Sequence, residues 1–362
     1  MDLTKFRDTE YVKNLIDKLY SVYPGGKINI MEVCGTHTMA IGSYGLRSLV
    51  PEGLRLLSGP GCPVCVTPNS IINAAVELAL IPDAVVTTFG DMMRVPGSEK
   101  TLEVCKAEGA DVRVLYSPLD MIEMAESQPN KNFVFISVGF ETTTPGIALT
   151  VLEAKKRNLK NVSFLCSNRL VIPALRILSE AEDINIDAFL CPGHVSVIIG
   201  YGAYEEISEK YKIPCVVAGF EPVDILMAIY EIVRQITNNE SKVVNTYGRV
   251  VTREGNIEAQ RVIEKVFVPA DAEWRGIGVI PMSGLELREE FSEYDALKKF
   301  KIELRDASDP PGCRCGDVLK GVLLPPECPL FGKKCKPESP VGPCMVSSEG
   351  SCAAYYKYGG AE

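Results

Sequence analysis

The cysteines are the first residues of this chain whose chemistry and spacing stand out. Thirteen are present, and six of them fall in the final 50 residues, at positions 313, 315, 328, 335, 344 and 352. Four thiolates are what a zinc ion or an iron–sulfur cluster needs. The spacing selects Cys313, Cys328, Cys335 and Cys352, whose wide, irregular separations favour an iron–sulfur cluster over zinc, with Cys315 and Cys344 as alternative ligands. The alternative is a metal that only stabilises the fold and takes no part in chemistry.

A second cysteine group is Cys62-x-x-Cys65, which lies among Gly and Pro residues. The pattern predicts a loop before a helix capped by Thr67 and beginning at Pro68, and the positive end of that helix would favour a thiolate. Two such thiols can close a redox disulfide or share a metal. The structural alternative is a rigid turn with unreactive thiols. In a cytosolic α/β protein, however, a Cys-x-x-Cys motif usually serves redox chemistry or metal binding.

A third group, Cys34 and His37, follows the first predicted strand within the stretch Glu32 to Met39. Ligands bind at the carboxyl ends of strands in open α/β sheets, so both side chains are expected to face a cleft. A thiolate beside an imidazole can bind a metal, or the pair can act as nucleophile and base. The alternative for His37 is a structural histidine whose hydrogen bonds are satisfied.

Similar loops follow other predicted strands and are expected to reach the same cleft. They would supply Asp91, Arg94, Glu141, Thr142 and His194. Each of these side chains could instead cap a helix or close a turn.

Short apolar, β-branched runs alternate with amphipathic segments, which predicts parallel sheets covered by helices. The predicted strands are Ile28 to Val33, Leu54 to Leu57, Ala84 to Phe89, Val112 to Leu115, Phe133 to Val138, Val162 to Cys166, Ala188 to Cys191 and Cys215 to Ala218. The predicted crossover helices are Phe6 to Tyr20, Pro68 to Leu80, Ser98 to Glu108, Gly146 to Arg157, Ile172 to Ala181 and Pro222 to Thr237.

Two internal echoes indicate two similar α/β domains that face each other across a cleft. One relates Phe135 to Glu141 with Cys215 to Glu221, and the other relates the Cys-x-x-His groups that end at His37 and His194. Chance repetition of strand-to-glycine turns is the alternative explanation of both. The segment Glu286 to Arg305 is charged and predicted to be helical, and after it the chain has too few apolar runs for an ordinary core.

The predicted domains are therefore residues 1–130 and 131–285, both α/β, and a small cysteine-rich iron–sulfur domain at 286–362. These boundaries are soft, because an N-terminal segment could cross over to complete the other sheet.

Composition narrows the classes of function. The 362 residues (39.5 kDa) are 46% hydrophobic and 23% charged, as in a globular protein, and 47 acidic against 38 basic residues give a net charge of −9. An acidic chain without a basic cluster argues against nucleic-acid binding. We expect no signal peptide and no membrane span, and therefore a cytoplasmic protein, where cysteines serve metal binding or redox chemistry rather than structural disulfides.

At these same residues the chain resembles the HypD family of hydrogenase maturation factors. The matching stretches cover nearly the whole chain and are Glu32 to Met39, Ser58 to Thr67, Thr88 to Gly97, Val138 to Thr143, Cys191 to Val195, and the C-terminal cysteine series ending in Gly342 to Tyr356. None of them departs from the family pattern.

The resemblance implies a role as a redox-active assembly scaffold rather than a conventional turnover enzyme. With a small HypC-type chaperone, the protein would hold an iron ion while it receives cyanide, delivered by HypE, and carbon monoxide, the Fe(CN)2(CO) group of nickel-iron hydrogenase. Carried over by position, Cys34 would hold that mononuclear iron. Cys313, Cys328, Cys335 and Cys352 would hold a 4Fe-4S cluster, and Cys62 with Cys65 would be a redox pair near it.

An electron path from the cluster through Cys62 and Cys65 to the cleft is a further hypothesis drawn from these two cysteine groups. Two other readings stay open. One is a cluster-dependent protein disulfide reductase, which needs no metal at Cys34, and the other is a structural zinc protein whose cleft binds a small molecule.

Overall fold

Two parallel β-sheets form the framework of the protein in a computed structural model, which describes residues 7–181 and 185–359. The first sheet has five strands in the order β2-β1-β7-β8-β9. These strands are β1 (Ile28–Glu32), β2 (Leu54–Ser58), β7 (Ala188–Pro192), β8 (Cys215–Ala218) and β9 (Val243–Asn245).

The second sheet has four strands in the order β4-β3-β5-β6. They are β3 (Ala84–Thr88), β4 (Asp111–Val114), β5 (Asn132–Gly139) and β6 (Val162–Asn168). Phe133, Phe135 and the other apolar residues of β5 are buried on both faces of the sheet, as an unbroken apolar run requires. All eight predicted strands are present, and the predicted α/β class with two parallel sheets is confirmed.

Helices cover both sheets in the described ranges. They are α1 (Thr9–Val22), α2 (Gly35–Ser43), α3 (Pro63–Val66), α4 (Asn69–Ala79), α5 (Leu102–Ala107), α6 (Asp120–Ser127), α7 (Thr144–Lys156), α8 (Val171–Glu180), α9 (Gly193–Ile199), α10 (Glu205–Tyr211), α11 (Pro222–Thr237), α12 (Ile257–Val266), α13 (Ala296–Phe300), α14 (Cys315–Leu319), α15 (Pro343–Val346) and α16 (Ser351–Tyr358). The six predicted crossover helices correspond to α1, α4, α5, α7, α8 and α11. Phe6, at the predicted start of α1, lies outside the described residues, and the observed helix begins after the Asp8 carboxylate, which accepts hydrogen bonds from the backbone N–H groups of Glu10 and Tyr11.

Strand pairing does not follow the predicted boundary at residue 130. β5 lies beyond that boundary but pairs with β3 before it, and β1 pairs with β7 of the predicted second domain. The chain thus starts the first sheet, builds the whole second sheet, and returns. Apolar patterns identify strands, but they carry no information on which strands pair, so the crossover was left open by the sequence.

The segment after residue 266 also differs from its prediction. β10 (Phe267–Trp274) and β11 (Gly278–Leu287) form an antiparallel hairpin, so the predicted boundary at 285 cuts through a strand. Within the predicted helix from Glu286 to Arg305, the described chain has a 3-10 turn at Glu289–Tyr294 and only five α-helical residues, in α13. Charge and length favoured a long helix there, but buried Phe291 and Tyr294 pack in the second-sheet core instead.

The C-terminal cysteine segment contains short helices and irregular chain, as its Pro and Gly content predicts. Helix α16 packs against α2 of the first sheet, where the Arg47 guanidinium lies 4.4 Å from the Tyr355 ring centre and forms a 3.1 Å ion pair with buried Glu32. Among the residues that the structure describes, every helix is too short or too polar to cross a membrane.

Candidate functional site

Cys34 caps the N-terminus of α2 at the carboxyl end of β1. Gly61 closes the loop from the other side: its carbonyl accepts a 3.0 Å hydrogen bond from the Gly35 N–H, and a Cβ at position 61 would overlap the Cys34 backbone. The strand end and the two glycines therefore fix the Cys34 backbone, as the sequence predicted from its position.

The Cys34 thiol is held in its neutral form. Burial and the nearby Glu349 carboxylate raise its pKa to about 12, while the backbone N–H groups of Thr36 and His37 oppose the rise. Together with the Thr36 hydroxyl, these amides at the start of α2 favour the thiolate, but they do not offset burial. A bound cation would add the positive charge that the thiolate lacks.

His37 and His194 lie on either side of one aromatic ring. The Phe220 ring centre is 4.8 Å from the His37 ring and 4.1 Å from the His194 ring. His37 is buried, and burial lowers its pKa to about 4, whereas His194 is exposed. These Cys-x-x-His groups come from β1 and β7, which are neighbours in one sheet, so this echo does not reflect two facing domains.

One nitrogen of His37 is unpaired. Nε2 lies 2.9 Å from the Gly219 carbonyl oxygen, which can only accept, so in the neutral ring Nε2 carries the proton. Nδ1 is then a buried acceptor, and it has no hydrogen-bond partner among the described residues. Such a nitrogen can accept a hydrogen bond or ligate a metal.

Glu349 reaches the Cys34 loop from the C-terminal segment. Its Oε1 accepts a 2.7 Å hydrogen bond from Thr36 Oγ1, and its charge acts on both Cys34 and His194. The sequence analysis missed this residue. Its position between Cys344 and Cys352 was a usable signal, because two predicted metal ligands would fix any side chain between them.

Asp91 and Arg94, expected in the cleft, hold the same C-terminal segment. Asp91 Oδ2 accepts hydrogen bonds of 3.0, 2.9 and 3.0 Å from Ser347 Oγ, Ser348 N and Ser348 Oγ, and Arg94 donates to the Pro337 carbonyl. The loop after β3 thus docks the cysteine segment onto the second sheet.

Cys62 and Cys65 are joined by a disulfide. Contrary to the predicted loop, they lie on their own short helix, α3, and the next helix starts at Asn69 with Pro68 as its cap. The fixed φ of Pro63 is compatible with a first helical position, which the prediction overlooked. Helix α3 contacts α15, which carries Cys344, while Gly61 contacts Cys34, so the disulfide lies between the Cys34 loop and the C-terminal segment.

Six cysteines line one cavity in the C-terminal segment. They are Cys313, Cys315, Cys328, Cys335, Cys344 and Cys352. Among the described residues, no group of three or more His, Cys, Asp or Glu side chains has the arrangement of a preformed metal site. The thiols instead surround a shared space, so the four predicted ligands and both predicted alternatives are brought together.

Four thiols of this cavity resist ionisation, those of Cys313, Cys315, Cys344 and Cys352. Burial and the neighbouring cysteines raise the pKa of Cys352, and the thiol of Cys315 raises the pKa of Cys313 well above its usual range. The Arg275 guanidinium opposes the rise at Cys315 and Cys344. Ionising several neighbouring buried thiols costs free energy, because the thiolates repel one another. A cation bound among them would offset that repulsion.

Glu141 lies in a different environment from the cleft residues. Its Oε1 accepts a 2.9 Å hydrogen bond from the Val171 N–H at the start of α8, and its Oε2 has no partner among the described residues. Burial raises its pKa to about 7. It borders a largely apolar cavity of about 250 Å³ next to α8, α9 and α12, and neighbouring Thr142 is exposed. The prediction that Glu141 shares the Cys34 cleft finds no contact to support it.

Comparison with known proteins matches the chain nearly end to end. The family model named HypD, described as "Hydrogenase formation hypA family", matches residues 10–359. The hydrogenase maturation factor HypD of Escherichia coli strain K12 is 46% identical over 361 residues, covering 98% of this chain and 97% of the relative. The factor of the same name from Cupriavidus necator is 44% identical over 366 residues, covering 99% and 97%. A putative hydrogenase expression/formation protein of Methanocaldococcus jannaschii is 44% identical over 357 residues, covering 98% and 99%.

Proposed function

The chain belongs to the HypD family, and from that premise we propose that this hydrogenase maturation factor is a scaffold for the iron group of nickel-iron hydrogenase. The group assembled would be Fe(CN)2(CO), and its iron would be held at Cys34. The observation that carries the proposal is the meeting of Cys34, Glu349 and the Cys62–Cys65 disulfide at one strand end.

Cys34 suits an iron ion that passes through as cargo. Low-spin iron with diatomic ligands prefers a soft thiolate and a site that excludes water, and Cys34 is a buried thiol. His37 Nδ1 is a buried acceptor on the same helix turn, and it supports the proposal as a second ligand or as a hydrogen-bond acceptor. We propose that the Glu349 carboxylate, which is hydrogen-bonded to Thr36 Oγ1 in the same loop, takes up the proton that Cys34 releases when it binds iron.

The cysteine cavity fits a 4Fe-4S cluster by its donors. Four thiolates are needed and six thiols line the space, with Cys313, Cys328, Cys335 and Cys352 as the proposed ligands. Bound there, a cluster would supply electrons to the neighbouring disulfide. With an external one-electron donor reducing the cluster twice, Cys62 and Cys65 would accept two electrons and two protons and become thiols, close to Cys34 and away from solvent.

The proposed partners are other maturation proteins: a HypC-type chaperone, which would bring a second thiolate to the iron, and a HypE-type cyanide donor. His194 is exposed at the edge of the His37–Phe220 stack, so a partner could reach it without unfolding the first sheet.

A Mössbauer spectrum tests the proposal directly. The protein is labelled with iron-57 and purified without oxygen together with a HypC-type partner. We expect a cubane signal plus a separate low-spin iron signal. A cubane signal alone would contradict the scaffold, and stable colourless protein containing zinc would contradict both metal assignments.

Cys34→Ala should remove the low-spin iron signal and leave the cubane signal and the circular dichroism spectrum unchanged. Cys105→Ala is the matched control, because Cys105 is also buried but lies in helix α5. A Cys34→Ala protein that still assembles the iron group would refute the role of Cys34.

A protein disulfide reductase is the second candidate, and the contact of α3 with α15 favours it, because it joins a disulfide to a cysteine cavity. The double variant Cys62→Ser, Cys65→Ser separates the two functions. The scaffold with an electron path predicts slower appearance of the low-spin iron, whereas the reductase predicts that no low-spin iron appears in either protein. Iron assembly at the normal rate in the double variant would show that the electron path is wrong.

A further inference from the structure

Arg275 lies where three parts of the chain meet. These are helix α3, which carries the disulfide, the C-terminal cysteine segment, and the chain at Ser308. Its backbone N–H donates a 2.8 Å hydrogen bond to the Val66 carbonyl, directly after Cys65. Its Nη2 donates to Asn69 Oδ1, and Asn69 in turn donates a 2.8 Å hydrogen bond to the Ser308 carbonyl. The next residue, Gly276, touches Gly316 so closely that a Cβ on either would overlap the other's backbone.

The charge of Arg275 is poorly compensated by the protein. Its side chain is 1% exposed, and its nearest carboxylate, Asp309, is 39% exposed with Oδ1 3.4 Å from Nε. Nε and Nη1 make no hydrogen bond within the described residues. A buried guanidinium gains little from one water-exposed carboxylate, and two of its donors make no hydrogen bond, so further negative charge nearby would stabilise it.

The cysteine cavity is the place where such negative charge would arise. Arg275 acts electrostatically on Cys315 and Cys344, and both thiols line the cavity. Arg314 also borders the cavity, but its side chain is 50% exposed and ion-paired with Asp317. Of these two cations, only Arg275 is buried away from water. Its charge interactions are stronger for that reason, because the local dielectric constant is lower.

We propose that Arg275 is a positioning residue that stabilises the reduced state of the iron–sulfur cluster in the six-cysteine cavity. The inference rests on the proposed function, because it requires the cluster. Reduction by a one-electron donor adds one negative charge to the cluster and changes no bond to the protein. A fixed positive charge in a dry environment lowers the free energy of that added charge, and so raises the reduction potential.

The same residue connects this charge to the disulfide. Because its backbone binds the carbonyl after Cys65 and its side chain binds the cap region of α4, Arg275 is held by the helix that carries the electron acceptor. Arg275 therefore links the disulfide helix to the cavity thiols on which its charge acts.

An EPR-monitored redox titration of the full-length protein, with dithionite as the reductant, tests the proposal. In Arg275→Gln we expect the equilibrium constant for one-electron reduction to fall about tenfold, which is about 59 mV. Arg275→Lys keeps the positive charge, so its equilibrium constant for one-electron reduction should fall by less than tenfold. Arg314→Gln is the matched control that removes an exposed cation beside the same cavity, and it should change the constant less than twofold because water screens it.

Iron and sulfide content accompany each titration. Arg275→Gln with a full cluster and an unchanged potential would overturn the inference and leave the proposed function intact, whereas wild-type protein without a cluster would overturn both. If Arg275→Gln loses the cluster and Arg275→Lys retains it, the result would support the inference that the cluster requires a positive charge at position 275. Loss from both variants would show that Arg275 serves the fold and would overturn the inference.

Discussion

At the scale of single residues, burial decides what each ionisable group can do. His37 and Glu141 both follow a strand end, yet burial lowers the pKa of the imidazole to about 4 and raises the pKa of the carboxyl to about 7. The His37 imidazole is therefore held in its neutral form at pH 7, and the Glu141 carboxyl keeps its proton to a much higher pH than an exposed glutamate does. Sequence position predicts where such side chains lie, but their protonation depends on neighbours that come from distant parts of the chain.

Glu141 gives a pH prediction. Its pKa rises on folding from 4.5 to about 7, so the folded state holds the proton more tightly and the stability that this carboxyl contributes is lost as pH rises from about 4.5 to 7. The loss is about 3 kcal/mol, from about 1.4 kcal/mol per pKa unit. Glu141→Gln keeps an acceptor for the Val171 N–H and cannot ionise, so the variant should lack this part of the pH dependence.

Urea unfolding of both proteins at pH 5 and pH 8 is the measurement. Glu153→Gln is the control, because Glu153 lies on the surface of α7 and pairs with Arg157. An equal loss of stability between pH 5 and pH 8 in wild type and Glu141→Gln would contradict the assignment.

At the scale of elements, two loops from different sheets hold the C-terminal segment. The loop after β3 binds it through Asp91, and α2 receives Glu349 and helix α16. The segment that carries Cys344 and Cys352 is therefore part of the Cys34 site, although it has little core of its own.

Asp91→Ala should loosen this docking. It removes the acceptor of three hydrogen bonds to residues 347–348, and hydrogen bonds to a charged group contribute about 1.5–3 kcal/mol each, without strict additivity. Hydrogen exchange at residues 343–352 should accelerate at least tenfold, with a smaller effect in Asp91→Asn, which keeps one acceptor. Unchanged exchange there, with Asp17→Ala as an exposed control, would mean that Asp91 does not hold the segment.

The helices and strands also show which features could be predicted from the sequence alone. Unbroken apolar runs such as Phe133 to Val138 identified the strands, but Gly and Pro around Cys62 predicted a loop where helix α3 forms. Pairing partners, the hairpin of β10 and β11, and Arg275 were out of reach. The β1–β7 pairing and the contact of Arg275 with Asn69 join residues more than a hundred positions apart, which no local pattern encodes. The β10–β11 hairpin pairs residues close in sequence, but its strands lack the unbroken apolar runs that marked the others.

At the scale of the whole molecule, the chain crosses between the sheets twice. β1 and β2 are completed by β7, and β3 and β4 are completed by β5. A fragment of residues 1–130, the domain expected from the sequence, should therefore fail to fold, since both of its strand pairs lack their neighbours. A residue 1–130 fragment that unfolds cooperatively in urea, monitored by circular dichroism beside the full chain, would contradict this topology.

The return of the chain to the first sheet also sets an order of events during synthesis. β7 leaves the ribosome about 130 residues after β2, which takes on the order of 10 s at bacterial elongation rates. Through that interval the β1 strand end, with Cys34, lacks its neighbour β7, and Glu349 is synthesised later still. In a nascent chain the Cys34 thiol therefore precedes, by many residues, both the strand that pairs with β1 and the carboxylate that helps to raise its pKa.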